Sequence, residues 1–321
     1  MKTDRSSEGL VQQYGGRHTG SWVGYLPASW IPYVQLARLS PPAGLFLILF
    51  PHIFGVIHAA MILRAPFADA MTAGILVAGG SFFLSNACHG WNDFIDAPFD
   101  KLVARTRNRP IVRGAVSPRG ALLFVFSQCL GAAVILSILP NIAAWTAIPG
   151  IALHIYYPYS KQHTHLAQFV LGFTLAWGVY VGTAAMGVDP SSDVFAPTTC
   201  LFGASVLWTV IYDTIYTFQD IADDEKIGLK STAILLRDWT KPFLLVSLGC
   251  VATLLTTYGQ LCAMNTGFYI FGIGGSLASL GTMIMKVELK DPFSCWWWFR
   301  YGFWLAGGSI VGGLLSAYIM R

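Results

Sequence analysis

Apolar runs long enough to cross a lipid bilayer recur along most of this 321-residue chain. A spanning α-helix needs about 20 consecutive, mostly apolar residues, because the hydrocarbon core of a bilayer is about 30 Å thick. Nine such windows occur, at residues 43–63, 70–90, 120–139, 141–158, 166–187, 197–219, 242–262, 267–285 and 301–320. The pattern predicts an all-α, polytopic membrane protein with nine transmembrane helices.

The composition excludes several other classes of protein. Hydrophobic residues make up 55% of the chain and charged residues 11%, whereas about a quarter of an average soluble domain is charged. Disorder requires low hydrophobicity, and the glycines and prolines show no collagen-like period. The six cysteines form no CxxC pair, so neither a zinc site nor a disulfide framework is indicated. The net charge of +4 is modest, and no nucleic-acid partner is expected.

The distribution of basic residues predicts the orientation in the membrane. The N-terminal segment and the loops after the even-numbered spans carry 18 of the 20 Lys and Arg residues; the exceptions are Arg64 and Arg321. Basic residues concentrate on the cytoplasmic side of membrane proteins. The sequence therefore predicts nine spans with the N-terminus in the cytoplasm.

Residues 1–37 differ in composition from the remainder of the chain. They are polar and then aromatic, and they contain no short apolar stretch typical of a signal peptide. Arginine is too sparse and acid too frequent for a mitochondrial transit peptide. We expect an interfacial N-terminal segment attached to a single membrane-embedded domain over 1–321. The expected location is the endoplasmic reticulum or another endomembrane rather than the mitochondrial inner membrane.

Half of the sixteen acidic residues fall in two short stretches, at 92–100 and 213–225, both on the predicted cytoplasmic side. In the first stretch Asn92, Asp96 and Asp100 recur every fourth residue, a spacing that places them on one face of a helix. In the second, Asp213, Asp220 and Asp224 are seven and four apart. Two acidic faces repel unless a cation lies between them. Mg²⁺ favours such oxygen ligands together with substrate phosphates, whereas Asp223 and Glu225 fit a solvated loop equally well.

Basic residues follow each acidic stretch. Arg105 and Arg109 come after the first, Lys230 comes after the second, and Lys161 lies between spans four and five on the same side. A role in setting membrane topology accounts for Arg107, Arg113, Arg119 and Lys241. Carboxylates, a metal ion and converging cations together indicate a site that binds a diphosphate.

These motifs resemble a known family. Asn92-Asp93-x-x-Asp96-x-x-x-Asp100, continuing through Arg105-Thr106 and Arg109-Pro110, resembles the first motif of the UbiA-type intramembrane aromatic prenyltransferases. The stretch from Tyr212-Asp213 through Asp220-x-x-x-Asp224 to Lys230 is similar to that family's second motif. The residues of these motifs are most similar to those of the 4-hydroxybenzoate polyprenyltransferase branch. Ser40-Pro41 departs from that branch, and the length and short polar N-terminal segment resemble fungal enzymes that farnesylate aromatic polyketides.

The resemblance implies nine helices around a central cavity and a role for each group of residues. The predicted Mg²⁺ ligands are Asn92, Asp93, Asp96, Asp100, Asp220 and Asp224. The residues predicted to bind the diphosphate are Arg105, Arg109, Lys161 and Lys230. The residues predicted to orient the phenol are Asp213, Tyr212 and Tyr216.

The implied reaction is transfer of a prenyl group, expected to be farnesyl, to a ring carbon of a phenolic acid or aromatic polyketide in secondary metabolism. The expected partners are an isoprenyl diphosphate, the aromatic acceptor and the bilayer, without an obligate protein partner. One alternative is a 4-hydroxybenzoate polyprenyltransferase of ubiquinone biosynthesis. An intramembrane cation transporter is an alternative of another class, because intramembrane aspartates also coordinate ions. A CDP-alcohol phosphotransferase is disfavoured, since its spaced Asp-Gly pattern does not occur in this sequence.

Overall fold

The structure is a computed structural model that describes Tyr14 and residues 20–320. Every regular element of that part of the chain is helical, which confirms the predicted all-α class. In chain order the helices are α1 (Gly20–Val23), α2 (Ile31–Leu36), α3 (Ala43–Leu63), α4 (Phe67–Asp100), α5 (Pro118–Ile138), α6 (Asn141–His163), α7 (Ala167–Ala176), α8 (Gly178–Ala185), α9 (Phe195–Thr217), α10 (Ile221–Lys226), α11 (Thr232–Leu236), α12 (Thr240–Leu261), α13 (Gly275–Lys286) and α14 (Pro292–Ile319). A 3₁₀ turn at Arg237–Trp239 precedes α12, and a π-helical segment at Phe268–Gly274 precedes α13.

Eight stretches of the described chain are long and apolar enough to cross a membrane. They are α3, α4, α5, α7 with α8, α9, α11 with α12, the π segment with α13, and α14. These stretches coincide with eight of the nine predicted spans. The other predicted span, 141–158, falls on α6, a 23-residue helix that contains Pro149 and Pro158 and is not among the eight. The polytopic helical class is confirmed, while the count of nine and the orientation of the N-terminus stay predictions.

The exposed surface of helix α5 is apolar and suited to contact with lipid. Ala121 is the one buried residue of this helix, and the side chains of Leu123 and Phe126 are about 70% exposed. A helix that is apolar on all sides is suited to a buried or membrane environment. In water these side chains would form a large exposed apolar patch, which soluble monomers avoid. We therefore assign this surface to the bilayer.

Helix α9 lies at the centre of the bundle. It packs against α7, α12 and α14, and Trp208 and Ile211 on it are fully enclosed. The same helix carries Asp213 near its C-terminal end. The acidic side chain is therefore held by a rigid, buried helix.

The N-terminal segment is partly described, and its predicted interfacial position stays a prediction. Trp22, Tyr25 and Trp30 are exposed, as expected of aromatic residues at a membrane interface. Tyr14 differs, since its ring is buried edge-on against Trp296. The remaining residues before Gly20 lie outside the described part of the chain.

Helices α3 and α8 cross in direct backbone contact. A Cβ atom added to Gly55 would lie 2.1 Å from the carbonyl oxygen of Val179, and one added to Gly182 would lie 2.0 Å from that of His52. No side chain fits at either position, because backbone atoms cannot move aside. Glycine at both positions permits the close approach of the helices, as small residues do in other membrane bundles.

We expect Gly182→Ala to destabilise the protein by about 1–3 kcal/mol, the usual cost of overpacking a tightly packed core. The measurement is thermal unfolding in detergent. Gly74→Ala in α4 is the matched control, because a Cβ there meets nothing within 4 Å. Equal melting temperatures for the two variants would contradict the backbone contact.

Candidate active site

The first acidic stretch forms the C-terminal end of α4. The helix continues through Pro98 to Asp100, and Asn92, Asp93, Asp96 and Asp100 are all buried on it. The Asn92 amide donates a hydrogen bond of 2.9 Å to Asp96 one turn later. The predicted helical face is therefore present.

The second acidic stretch is not one continuous helical face. Helix α9 ends at Thr217, Asp220 lies in the turn that follows, and Asp224 is in the short helix α10. The chain turns at this point, and the Asp220 carboxylate accepts hydrogen bonds of 2.8 and 2.9 Å from the Arg105 guanidinium. The turn nevertheless brings Asp220 and Asp224 to the same cavity as Asp213.

Basic side chains pair with the buried carboxylates. Arg109 lies 2.7 Å from an oxygen of Asp100 and 3.1 Å from one of Asp93, and Arg38 lies 2.8 Å from the same Asp93 oxygen. The ammonium of Lys161 lies 3.2 Å from Asp96. Because a buried carboxylate is stable only when it is paired and hydrogen-bonded, these cations hold the acidic cluster together.

Arg105 joins the two acidic stretches. It belongs to the loop after α4, yet it pairs with Asp220 and donates a hydrogen bond of 2.8 Å to the hydroxyl of Tyr216. Its guanidinium also lies over the Tyr216 ring, 5.1 Å from the centroid. One side chain thus fixes the loop between α4 and α5 against the end of α9.

Outside the membrane-spanning stretches, burial and these ion pairs shift the pKa values of the charged side chains. Burial alone would lower the pKa of Arg109, but the carboxylates of Asp100 and Asp93 more than offset it and raise the pKa. Burial, reinforced by the nearby Asp220, raises the pKa of Asp224 to about 7. Among the described residues neither Asp213 nor Asp224 has an ion-pair partner. Because Asp213 accepts a hydrogen bond from Gln168, the Asp224 carboxylate is the least compensated of the cluster.

The two acidic stretches and the basic side chains meet around one cavity of about 90 Å³, which we call cavity 1. All four residues predicted to bind a diphosphate line it, together with five aspartates and Tyr216. These residues are Arg105, Arg109, Lys161, Lys230, Asp96, Asp100, Asp213, Asp220 and Asp224. The loops after spans two, four and six therefore converge, as the charge distribution predicts.

A second cavity adjoins the first, and a third adjoins the second. Cavity 2, of about 160 Å³, shares Arg105, Arg109, Tyr157, Lys161, Asp213 and Tyr216 with cavity 1, and its other walls include the apolar side chains of Leu47, Ile48, Leu171, Leu175 and Phe299. Cavity 3, of about 250 Å³, is lined almost entirely by apolar atoms and shares His154 and Thr174 with cavity 2. The three form a series from charged to mixed to apolar.

Three predicted site residues lie away from cavity 1. Asn92 lines cavity 2, and Asp93 sits behind the wall with its pairing cations. Tyr212 is fully buried in the aromatic core between Trp208 and Phe303, and its hydroxyl donates to Thr209. The structure does not bring Tyr212 to any of the three cavities.

Sequence reasoning missed several residues of these walls. Tyr157 lines cavities 1 and 2, and Lys161 lies over its ring, 5.1 Å from the centroid. Gln168 donates to Asp213 at 3.3 Å and accepts a hydrogen bond from the backbone of Thr232. A signal for Tyr157 existed, since it precedes Lys161 by one helical turn, but an uncharged glutamine within an apolar helix gives no such signal.

The donor set is suited to a metal such as Mg²⁺ that also binds substrate oxygens. Among the described residues, no three His, Cys, Asp or Glu side chains converge closely enough to hold a metal alone. The buried Oδ1 of Asn92 and Oδ2 of Asp93 have no hydrogen-bond partner among the described residues. Mg²⁺ binds in this manner, through one or two carboxylates, water and substrate phosphates. The oxygen ligands present therefore fit Mg²⁺ bound together with a diphosphate.

Comparison with known proteins identifies the class to which this fold and site belong. Residues 48–307 match the UbiA prenyltransferase family, and the chain belongs to that family. This finding confirms the predicted family and the prediction that the protein is a prenyltransferase embedded in a membrane.

Individual relatives support the assignment. The prenyltransferase ascA of Acremonium egyptiacum is 36% identical over 81% of this chain and 77% of its own length. The mitochondrial 4-hydroxybenzoate polyprenyltransferase of Saccharomyces cerevisiae is also 36% identical, over 88% of this chain and 75% of its own length. The fold is similar to that of a UbiA homologue from Archaeoglobus fulgidus bound to GPP and Mg²⁺, with a TM-score of 0.64, 16% identity, and coverage of 86% of this chain and 99% of that one.

The pairing pattern predicts different stabilities for two neighbouring aspartate variants. Asp220→Ala leaves the buried guanidinium of Arg105 without its partner, which we expect to cost roughly 3–5 kcal/mol of unfolding free energy. Asp224→Ala removes a carboxylate without an ion pair and should leave stability unchanged or raised. Thermal unfolding of both variants in detergent is the measurement. A smaller loss for Asp220→Ala than for Asp224→Ala would show that the pairing is wrong.

Proposed function

We propose that this protein transfers a prenyl group from an isoprenyl diphosphate to a ring carbon of an aromatic acceptor, with Mg²⁺ as cofactor. The single observation that carries the proposal is cavity 1, where five aspartates and four basic side chains surround one small space. Carboxylates alone would suit a cation, and basic side chains alone would suit an anion. Both together suit a metal–diphosphate complex.

The diphosphate is held by residues at the ends of α4 and α6 and in the segments that follow α4 and α9. Asp96 and Asp100 on one side, and Asp220 and Asp224 on the other, would hold Mg²⁺, with Asn92 and Asp93 behind the first pair. Bound Mg²⁺ would neutralise charge on the departing diphosphate. Arg105, Arg109, Lys161 and Lys230 would contact its oxygens, which requires the three paired side chains among them to move from carboxylate to phosphate. In the described part of the chain the ammonium of Lys230 bonds only the carbonyl oxygen of His163, so it can reach a ligand without breaking an ion pair there.

The chemistry proceeds at the border of cavities 1 and 2. The bond between the allylic carbon and oxygen breaks, and the electron pair leaves with the diphosphate. A ring carbon beside the phenol oxygen then forms the new carbon–carbon bond, and the proton on that carbon is lost. Asp213 and Tyr216, which line both cavities, would contact the acceptor. The apolar walls of cavity 2 exclude water from the allylic carbocation that this cleavage leaves.

The prenyl chain would lie along the apolar side of cavity 2, formed by Leu47 and Ile48 of α3, Leu171 and Leu175 of α7, and Phe299 of α14. Burial of each added isoprene is favourable by about 25 cal/mol per Å² of apolar surface. Chain length is therefore set by where the walls close rather than by the charged site. Tyr212 would act through packing, by holding Phe299 and Phe303 in place.

We propose farnesyl diphosphate as the donor and a phenolic acid or aromatic polyketide of secondary metabolism as the acceptor. The similarity to the fungal prenyltransferase and the Ser40-Pro41 departure from the 4-hydroxybenzoate branch support this choice. The endoplasmic reticulum or another endomembrane would be the site of action. A role in ubiquinone biosynthesis is the second candidate function. It is favoured by the sequence identity to the Saccharomyces cerevisiae 4-hydroxybenzoate polyprenyltransferase, which equals the identity to the fungal prenyltransferase. A cation transporter has no such support, because the acidic cluster is filled by basic side chains.

Activity should require Mg²⁺ and the acidic cluster. We expect full loss of pyrophosphate release from farnesyl diphosphate in EDTA, with recovery in Mg²⁺ and little in Ca²⁺, whose larger size and looser geometry suit the site less well. Asp96→Asn should lower turnover about 10²–10³-fold, as loss of a preorganised charge at an active site does. Asp189→Asn, in the exposed loop before α9, is the matched control. Unchanged turnover in EDTA would refute the metal-dependent mechanism.

The donor is tested by competition between chains of different length. Farnesyl diphosphate and a diphosphate of thirty or more carbons are supplied at equal concentration with a panel of phenolic acids, and products are identified by mass spectrometry. We expect the C15 product to dominate. Dominance of the longer chain on 4-hydroxybenzoate would assign the protein to the ubiquinone branch.

A further inference from the structure

Tyr14 lines cavity 2 although it lies far from the other wall residues along the chain. Among the described residues that line cavities 1 to 3, Tyr14 alone precedes Arg38. It is 5% exposed, whereas Trp22, Tyr25 and Trp30, the aromatic residues that follow it, are exposed. Tyr14 is therefore held in the wall by contacts that these neighbouring aromatic residues lack.

Three contacts hold the Tyr14 side chain. Its hydroxyl donates a hydrogen bond of 2.9 Å to the backbone carbonyl oxygen of Pro41. Its ring stands edge-on to that of Trp296, with 6.3 Å between the two centroids, and the Arg38 guanidinium lies 5.7 Å from the Tyr14 ring centroid. Because the hydroxyl is bonded to the backbone, the aromatic ring is the part of Tyr14 that is left to form the wall of cavity 2.

These contacts place Tyr14 at the end of the bundle that carries the acidic stretches. Pro41 directly precedes the start of α3, and Trp296 lies near the start of α14. The Arg38 guanidinium that contacts the ring also pairs with Asp93, near the C-terminal end of α4. Tyr14 therefore lies between the start of α3 and the start of α14, at the end of cavity 2 that adjoins the polar loops.

The proposed reaction needs a barrier to water at this end of cavity 2. Once the allylic carbon–oxygen bond has broken, the carbocation reacts either with the acceptor ring or with water. Capture by water forms a new carbon–oxygen bond, releases a proton and yields the free prenyl alcohol, and a closed active site suppresses this side reaction. Apolar side chains of α3, α7 and α14 line cavity 2 within the bundle, so the polar end is the side from which water would enter.

We infer that the Tyr14 ring closes the polar end of cavity 2 and thereby determines whether the allylic carbocation is captured by the aromatic acceptor or by water. The inference rests on the proposed function and goes beyond it, because it assigns product selectivity to a residue outside both acidic stretches and outside the described helices. A tyrosine suits this role, since its ring presents a large, rigid apolar surface while its hydroxyl is anchored at the other end. Tyr14 is a positioning residue that acts by excluding water.

The ratio of prenyl alcohol to prenylated acceptor is the measurement. Purified protein in Mg²⁺ receives farnesyl diphosphate with 4-hydroxybenzoate or 2,4-dihydroxybenzoate, in H₂¹⁸O. Capture of the carbocation by water puts the heavy oxygen into farnesol, whereas a contaminating phosphatase, which cleaves the phosphorus–oxygen bond, does not. We expect Tyr14→Ala to raise the ratio of labelled farnesol to prenylated acid roughly tenfold, which corresponds to a change of about 1.4 kcal/mol between the two competing barriers. Tyr14→Phe keeps the ring and should stay close to the wild-type ratio.

The chain offers a matched control in Tyr25→Ala. Tyr25 is 90% exposed and is not among the residues that line cavities 1 to 3, so this variant should give the wild-type ratio. Tyr14→Leu keeps an apolar side chain of smaller size and should give an intermediate ratio. It also tests the inference if Tyr14→Ala does not fold.

Each other outcome has a distinct meaning. An unchanged ratio in Tyr14→Ala or, if that variant does not fold, in Tyr14→Leu would overturn the inference while leaving the proposed function intact. A raised KM for the phenolic acid with an unchanged ratio would make Tyr14 a contact of the acceptor instead, and an equal rise in Tyr25→Ala would remove the special role of Tyr14. Absence of prenylated product from the wild type with both acids would overturn the proposed function and this inference together.

Discussion

Charge compensation among buried carboxylates is the constraint on which the site depends. Five aspartates around a cavity of about 90 Å³ repel one another strongly when little water is present to screen them. Arg105, Arg109 and Lys161 reduce that repulsion by pairing with Asp220, Asp100 and Asp96. The Lys161–Asp96 pair joins α6 to α4, and the Arg105–Asp220 pair joins the loop after α4 to the turn after α9. The acidic cluster and the bundle around it are thus stabilised by the same contacts.

The same compensation gives the site its chemical character. In the proposed function, a metal and a diphosphate that arrive together would change the pairing: the carboxylates would bind the metal, and the basic side chains would bind the phosphates. Net charge changes little in such an exchange, so little uncompensated charge is buried at any stage. The apolar walls of cavity 2 begin directly beside this charged region, and cavity 3 adjoins cavity 2. In the proposed reaction, an electrophile formed at the charged end would enter a space with apolar walls that exclude water.

The sequence predicts the parts of this structure that depend on local pattern. Apolar windows locate the spans, and the fourfold spacing of Asn92, Asp96 and Asp100 predicts their common face, because both follow from helix geometry alone. The break after Thr217 is not predictable in this way. Asp213 and Asp220 are spaced for one helical face, but the pairing of Asp220 with Arg105, which is 115 residues away, holds it in a turn outside the helix.

Tertiary packing decides the remaining differences. Tyr212 and Tyr216 are one turn apart, yet Tyr216 reaches the cavities from the last turn of α9 while Tyr212 lies among core aromatics. Their sequence contexts are similar, so only the arrangement of the neighbouring helices distinguishes them.

The central claim is that the two acidic stretches form one site for a metal–diphosphate complex. Equilibrium binding of a non-hydrolysable thio analogue of farnesyl diphosphate tests it most directly, in Mg²⁺, with Asp96→Asn, Asp220→Asn and the double variant. If both stretches hold the same complex, each single variant should weaken binding strongly and the double variant should add little, since coupled residues are non-additive. Fully additive losses, or unchanged affinity without Mg²⁺, would contradict the account.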